Sequence, residues 1–185
     1  MKIAVYSGSF NPLHKGHQAI MEFLTRDRQF DCVYLIVSPQ SPFKSEENVV
    51  TGRDRYLAAV EAVARHPELK VRVDDIELGM EPPHYTIRTL DTLRLREPDN
   101  SFTLVIGADN LDKFDEWRDY RRILLEYGVE VFPREGCDAE AKRRKFLKEN
   151  RRYRIHICDA PLVTVSSTMI REGIASGKDM SSLLM

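Results

Sequence analysis

Residues 8–17, which read GSFNPLHKGH, constrain this chain more than any other stretch. They follow KIAVYS at 2–7, a short run typical of a buried strand, and precede residues 18–26, whose apolar side chains recur at helical spacing. A strand, a glycine-containing turn and a helix, in that order, point backbone N–H groups and the positive end of a helix dipole at an anion. The stretch therefore predicts a phosphate-binding site at the start of the chain.

Individual residues of this turn sharpen the prediction. Gly8 lets the backbone turn and approach a ligand because it has no Cβ, and Pro12 restricts the turn that follows. His14 and His17 are three residues apart, so both imidazoles can face the same side of the first helical turn. Gly16 leaves room for a flat group such as a purine. Together these residues predict a nucleotide site with two imidazoles at its mouth.

Two other interpretations of the histidine pair are open. The pair could form half of a zinc site, but zinc takes three or four protein ligands and no other Cys or His lies nearby in the sequence. The two histidines could also cap the helix for structural reasons alone. That interpretation explains neither Gly8, Pro12 and Gly16 nor their place after the first strand. Phosphate chemistry is favoured.

The composition excludes several classes of protein. The chain has 185 residues, enough for a single α/β domain over 1–185, and its net charge of −1 does not favour a nucleic-acid or membrane-surface partner. No apolar run is as long as a membrane span, and the chain opens into a strand without a signal-peptide pattern. Its three cysteines lack metal or redox spacing, which predicts reduced thiols in a cytoplasmic protein: Cys32, Cys137 and Cys158.

Strand and helix patterns alternate along the whole chain. Strands are predicted at 2–7, 31–38, 71–74, 101–106, 129–132 and 154–158. Helical spacing predicts that the inner face of the helix after Thr51 carries Leu57, Val60, Val63 and Ala64. It also predicts a helix that starts at Tyr85 and Thr86 and carries Ile87, Leu90, Leu93 and Leu95 on or near one side. This order predicts an α/β fold, a Rossmann-like doubly wound parallel sheet of about six strands.

Segments of unusual composition, rich in glycine, proline, hydroxyl or charged residues, come directly after predicted strands. They lie at 8–17, 39–44, 107–109 and 133–134, and a further one lies at 166–171. Parallel sheets bind ligands beyond the carboxyl ends of their strands, so one composite site is expected. In the last cluster, three hydroxyls and Arg171 suit a polyphosphate, although an ordinary helix cap with a solvated arginine is the alternative. Lys44 ends a proline-stiffened loop, but a surface lysine is a weak signal alone.

Three further features allow both a functional and a structural interpretation. Asp109 could bond a ribose hydroxyl or cap a helix, and Trp117 could stack on a heterocycle or pack in the core. The basic stretch at 142–154 could attract RNA, but a solvated helix face is the favoured interpretation.

Several segments together resemble the bacterial nicotinate-nucleotide adenylyltransferase family, a branch of the nucleotidyltransferases with an HxGH motif. They are the turn at 8–17, the loop ending in Lys44, DDIEL at 74–78 with YTIRTL at 85–90, IGAD at 106–109 with Trp117, and SSTMIR at 166–171. The first and last are shared across the superfamily, whereas the middle segments point to this member. The chain departs from the family where Phe43 replaces a usual histidine and Glu135 a usual proline, and it ends at Met185 where relatives are expected to continue.

The resemblance implies transfer of the adenylyl group of ATP to nicotinate mononucleotide, giving nicotinate adenine dinucleotide and pyrophosphate in NAD biosynthesis. It implies catalytic roles for His14, His17, Lys44 and Arg171. It implies ATP binding by Gly8, Ser9, Phe10, His14, Gly16, His17, Gly107, Asp109, Ser166, Ser167, Thr168 and Arg171. It implies substrate binding by Lys44, Tyr85, Thr86, Asp109, Trp117 and Arg134.

The implied reaction needs no general base, because the attacking phosphate monoester is largely ionised at neutral pH. Mg²⁺ is expected to accompany ATP through its phosphates, without a protein ligand set, and a homo-oligomer is compatible with the family. Alternatives are another superfamily transferase, such as phosphopantetheine adenylyltransferase or a cytidylyltransferase, and a non-catalytic nucleotide-binding regulator. Tyr85, Thr86 and Trp117 argue against the other transferases, and the presence of both histidines argues against the regulator.

Overall fold

The computed structural model describes residues 1–39 and 50–185. Six strands form one sheet in the order β3-β2-β1-β4-β5-β6. The strands are β1 (Lys2–Gly8), β2 (Cys32–Val37), β3 (Val71–Asp74), β4 (Ser101–Gly107), β5 (Val129–Phe132) and β6 (Ile155–Ile157). The pairs β1–β4, β2–β3, β4–β5 and β5–β6 are parallel, which confirms the predicted doubly wound α/β sheet.

Helices connect successive strands, as parallel pairing requires. They are α1 (Lys15–Arg26), α2 (Gly52–Ala64), α3 (Thr86–Arg96), α4 (Ala108–Asp112), α5 (Tyr120–Arg122), α6 (Ala139–Glu149) and α7 (Ser167–Ala175). Short 3₁₀ turns occur at Ile76–Gly79, Phe114–Glu116 and Ser181–Leu183, and a π-helical turn at Ile123–Tyr127 follows α5. None of the helices in the described ranges is both long and apolar enough to cross a membrane.

By their internal contacts the residues form two compact units, each assembled from two stretches of chain. The first unit comprises Met1–Tyr6 and Pro83–Val163, and the second comprises Ser7–Pro82 and Thr164–Met185. In the first unit, Ile3, Ala4 and Val5 of β1 are buried together with most of β4 and β5. In the second, five consecutive residues of β2 are buried, as expected of a strand covered on both faces. The expectation of one domain stays a prediction.

Two helix faces differ from the sequence prediction. In α2 the buried residues are Arg55, Ala59 and Ala62, whereas Leu57 and Val60, which were predicted on the inner face, are 46% and 38% exposed. The positions 55, 59 and 62 form one stripe along the helix, and Leu57 lies about 200° around the axis from Arg55. The prediction ranked residues by hydrophobicity, but this helix buries small alanines and an arginine that bonds to backbone carbonyls.

In α3 the prediction is correct for Ile87, Leu90 and Leu93, which are buried, and wrong for Leu95, which is 82% exposed. Leu95 follows Leu90 by five residues and therefore lies about 140° around the helix axis from it. Its side chain is on the solvent face for that reason.

Candidate active site

The turn after β1 brings its two histidines together at the start of α1. His14 is the N-cap residue, buried and with extended backbone angles, and α1 begins at Lys15, three residues earlier than predicted. The earlier start places His17 within the first helical turn. The rings of His14 and His17 stack with centroids 3.7 Å apart and planes inclined by 24°. Both imidazoles thus occupy one side of the helix start.

His17 is held in a defined hydrogen-bonding state by the main chain. The backbone N–H of His14 donates to Nδ1 of His17 over 3.2 Å. An acceptor nitrogen carries no hydrogen, so in the neutral ring the hydrogen is on Nε2. Nε2–H is a donor on a ring whose orientation is fixed by its neighbours, which is the property needed to bond a phosphate oxygen.

Phe10 explains part of the glycine pattern in the turn. Its φ of 45° lies in the left-handed region that favours glycine, and its buried ring meets the edge of His17 with centroids 5.1 Å apart. A Cβ on Gly8 would lie 3.1 Å from the Phe10 ring. A side chain at position 8 would therefore push the Phe10 ring by a few tenths of an ångström from its place beside His17, a reason for Gly8 that the sequence did not reveal.

The start of α7 is bonded to the same turn. Ser166 caps α7, since its Oγ accepts from the backbone N–H of Met169 over 3.2 Å. Ser167 Oγ donates to the carbonyl of Pro12 over 3.0 Å, and Arg171 Nη1 donates to the carbonyl of Asn11 over 2.7 Å. These bonds join the first and last motifs of the sequence, which are about 155 residues apart.

Arg171 therefore has a positioning role in addition to the phosphate contact predicted for it. Its Nη2 also donates to Thr168 Oγ1 over 3.2 Å. A guanidinium has five N–H groups, and these two bonds use two of them. The side chain can hold the turn and still present donors to an anion.

Arg55 is a residue of the site that sequence reasoning missed. It is 3% exposed, and its guanidinium donates to the carbonyls of Ser9 over 2.6 Å, Ser38 over 2.8 Å and Val50 over 3.4 Å. Burial lowers the pKa of Arg55. Ser9 and Ser38 directly follow β1 and β2, so one side chain fixes the exits of two strands. The sequence contains no signal for this role, because the stripe of Arg55, Ala59 and Ala62 is less hydrophobic than the face of α2 that carries Leu57.

In the first unit, β4 ends at Gly107, which is the N-cap of α4. Asp109 lies in the first turn of α4 and is not its cap, contrary to the structural alternative. Its Oδ1 is 3.6 Å from Nε of Arg134, the second residue after β5. A Cβ on Gly107 would clash with the Asp109 carboxylate and lie 3.0 Å from Arg134 Nε. An exposed pair of this kind contributes less than about 1 kcal/mol, so either partner can exchange it for a ligand.

The start of α3 offers a second anion-binding feature in the first unit. Tyr85 is the N-cap residue and makes no side-chain cap hydrogen bond, and Thr86 is the first helical residue. The Tyr85 ring is partly exposed, and the guanidinium of Arg118 lies 5.9 Å from its centroid. Trp117 is half-buried with its ring 4.8 Å from that of Phe114, so it packs on the core and still has an exposed part.

The predicted site residues are distributed over both units. The second unit contains Gly8, Ser9, Phe10, His14, Gly16, His17, Ser166, Ser167, Thr168 and Arg171. The first unit contains Tyr85, Thr86, Gly107, Asp109, Trp117 and Arg134. Lys44 lies outside the described residues. Within each unit most of the predicted residues follow strands or begin helices.

Known proteins resemble the chain over its whole length. Residues 5–173 match the cytidylyltransferase-like family. Probable nicotinate-nucleotide adenylyltransferases of Cytophaga hutchinsonii and Bacteroides fragilis are each 36% identical over 184 and 183 residues, covering 100% and 99% of this chain and 91% and 87% of theirs. The nicotinic acid mononucleotide adenylyltransferase of Plasmodium falciparum, complexed with NaAD, has the same fold. Its TM-score is 0.77 at 17% identity, covering 97% of this chain and 87% of that one.

These relatives confirm the resemblance found in the motifs, because two of them are 36% identical to this chain and align with nearly its whole length. The chain belongs to the cytidylyltransferase-like family and, within it, to the nicotinate-nucleotide adenylyltransferases.

Proposed function

We propose that this chain transfers the adenylyl group of ATP to nicotinate mononucleotide, releasing pyrophosphate and forming nicotinate adenine dinucleotide for NAD synthesis. The names of its relatives support this reaction. The observation that carries the proposal is the stacked pair of His14 and His17 on a turn that α7 holds by two hydrogen bonds. Phosphoryl chemistry needs donors at fixed positions, and this arrangement supplies them.

In the reaction, a phosphate oxygen of the mononucleotide attacks the α-phosphorus of ATP, and the bond from that phosphorus to the bridging oxygen of pyrophosphate breaks. The nucleophile is already ionised, so no residue has to remove a proton. Negative charge grows on the α-phosphate and on the leaving pyrophosphate. We assign its stabilisation to the Nε2–H of His17, the Arg171 guanidinium and the first-turn amides of α1 and α7.

The side chains that line this turn suit an anion better than a bare metal ion. They offer imidazoles, a hydroxyl from Ser167 and a guanidinium, whereas Mg²⁺ prefers oxygen ligands and carboxylates. Nucleotidyltransferases work with a divalent cation, and we assign it here to Mg²⁺ carried by the phosphates of ATP. Bound in that way, it would supply further neutralisation of the pyrophosphate charge.

We assign the mononucleotide to features of the first unit. The amides at the start of α3 favour a carboxylate over a carboxamide, because they are donors and the carboxamide would present its own N–H₂ to them. Arg118 beside Tyr85 adds positive charge there, and Trp117 offers an aromatic face for the pyridine ring. Lys44 is retained as a proposed contact of the mononucleotide phosphate on the sequence resemblance alone.

The test is pyrophosphate release from ATP or CTP with Mg²⁺ and a panel of acceptors. Nicotinate mononucleotide with ATP should be preferred over nicotinamide mononucleotide by at least about tenfold in kcat/KM, the cost of one unpaired buried polar group. Phosphopantetheine and CTP should give no signal above background. Equal rates with the two mononucleotides would show that the site recognises shape and not charge, and activity with phosphopantetheine alone would overturn the assignment.

A further inference from the structure

A cluster of metal-ligating side chains lies in the first unit, apart from the residues assigned to adenylyl transfer. Glu130 is in β5, His156 is in β6, and Cys158 directly follows β6. Glu130 and His156 are register partners, and the backbone N–H of Cys158 donates to the carbonyl of Val131. Residues two apart along a strand point to the same side, so the three side chains converge on one face of the sheet.

The separations of the three ligand atoms are close to those of a metal site. His156 Nδ1 is 2.9 Å from Glu130 Oε2, Cys158 Sγ is 3.3 Å from the same oxygen, and Sγ is 4.0 Å from Nδ1. With metal–ligand bonds of about 2.0–2.3 Å, the ligand atoms of a tetrahedral zinc site lie about 3.3–3.6 Å from one another. Shifts of a few tenths of an ångström would bring all three atoms onto one ion. In the part of the chain that the structure describes, this is the one group of three His, Cys, Asp or Glu side chains whose ligand atoms all lie within 4.8 Å of one another.

The chemistry of the donors selects the ion. A thiolate, an imidazole and a carboxylate are the ligands that zinc takes in proteins, whereas Mg²⁺ and Ca²⁺ prefer oxygen alone. The thiolate and the carboxylate together cancel the two charges of Zn²⁺, so a loaded site buries little net charge. Glu130 is 5% exposed and Cys158 is 3% exposed, while the His156 side chain is half-exposed and opens one side to solvent.

We propose that Glu130, His156 and Cys158 form a three-ligand site for Zn²⁺ in which solvent takes the fourth position. The site joins the last two strands of the sheet, so the ion links β5 to the edge strand β6. The cysteines appeared to lack metal spacing because the sequence shows only His156 and Cys158 together. The third ligand comes from the neighbouring strand, 26 residues before His156 along the chain.

The experiment is a titration of metal-free, full-length protein with Co²⁺ as a spectroscopic probe, followed by displacement with Zn²⁺. One equivalent of Co²⁺ should give a thiolate-to-cobalt charge-transfer band, and one equivalent of Zn²⁺ should remove it. Zn²⁺ should also raise the midpoint of thermal unfolding, because it binds the folded chain. Neither readout depends on adenylyl transfer.

Two variants and one control identify the ligands. Cys158→Ser should abolish the charge-transfer band. His156→Gln, at a half-exposed position that tolerates change, should lower the affinity for Zn²⁺ by about 100-fold or more. Cys137→Ser removes a cysteine outside the cluster and should leave the charge-transfer band and the affinity for Zn²⁺ unchanged. Absence of a one-to-one complex in the folded wild-type protein, or a band that survives in both Cys158→Ser and His156→Gln, would show that the three residues form only a hydrogen-bonded group.

Discussion

At the residue scale, the hydrogen bond from the His14 main chain to His17 separates two roles of one imidazole. Nδ1 accepts from the backbone and keeps the ring in place, while Nε2–H is the group that meets developing charge. A substitution can remove the second role and preserve the first. Asparagine places its amide oxygen close to the position of Nδ1 and has nothing at the position of Nε2.

We expect His17→Ala and His17→Asn both to lower kcat by about 10²–10³-fold, the usual cost of one transition-state donor, with little change in the Kd of ATP. His17→Asn should unfold close to the wild-type temperature, because it retains an acceptor for the His14 N–H. His66→Ala, which removes a histidine beyond the end of α2, is the matched control and should leave kcat unchanged. Undiminished turnover by the His17 variants would remove this residue from the mechanism.

Arg171 can be tested in the same way. Arg171→Ala should weaken ATP binding by about 1–3 kcal/mol, the range for a charge-assisted hydrogen bond in a partly buried site. Arg171→Lys keeps the charge but lacks the planar fork whose two nitrogens reach the Asn11 carbonyl and Thr168, so we expect it to recover only part of the loss. Calorimetric titration with ATP measures the affinity of both variants. Arg151→Ala, which removes an exposed arginine, is the control. Wild-type affinity in Arg171→Ala would place the polyphosphate elsewhere.

At the element scale, α2 fixes the exits of β1 and β2 through Arg55. Arg55→Met keeps the length of the side chain and removes every donor, leaving carbonyls of Ser9 and Ser38 without it. A buried acceptor that loses its partner costs about 1–3 kcal/mol, and these two hydrogen bonds are part-buried. We therefore expect urea unfolding to give a free energy of unfolding lower by about 1–3 kcal/mol. Arg53→Met changes an exposed arginine on the same helix and should cost less than about 1 kcal/mol. Equal effects of the two substitutions would contradict the role of Arg55.

Glu126 of the π-helical turn is paired with Arg122 of α5 and Arg94 of α3, and these ion pairs predict a pH dependence of stability. Hydrogen bonds from Arg122 over 2.9 Å and Arg94 over 2.8 Å lower the pKa of Glu126 below its ordinary value of 4.5. A lowered folded-state pKa means that this contribution is complete above the unfolded value and is lost as the pH falls through the folded one. Since the side chain is about one-third exposed, the contribution is less than about 1 kcal/mol.

Glu126→Gln should therefore destabilise the protein at neutral pH and have a diminishing effect as the pH is lowered below 4.5. Chemical unfolding at a series of pH values measures the difference. A constant difference across the series would show that the two ion pairs do not contribute to stability. Glu61→Gln, on the exposed face of α2, is a control that should show no such trend.

At the scale of the whole molecule, the sequence predicted what depends on local pattern. Most of the six strands are short runs rich in apolar and β-branched residues between helices, and every strand prediction agrees with the structure within one residue at either end. The pattern of residues 8–17 also predicted correctly that this stretch connects β1 to α1. Those features are visible locally because burial on both faces of a parallel strand requires a continuous apolar run.

The contacts that build the two candidate sites depend on parts of the chain that are distant in sequence. The bonds of Ser167 and Arg171 to the turn, the carbonyls held by Arg55 and the approach of Glu130 to Cys158 all require knowledge of which segments become neighbours. Hydrophobic periodicity also failed on α2, because a buried arginine with two alanines replaces the usual apolar stripe. Such a stripe is recognisable only after the carbonyl groups facing it are known.

The order of synthesis has a consequence for the second unit, which consists of Ser7–Pro82 and Thr164–Met185. The turn at Asn11 leaves the ribosome well before Arg171, which bonds to it and is made 160 residues later. At about 5–20 residues per second, the nascent turn waits roughly 10–30 s for its partner. Ribosome-bound chains that stop before residue 164 should therefore lack a protected turn, and protection should appear only when α7 has emerged.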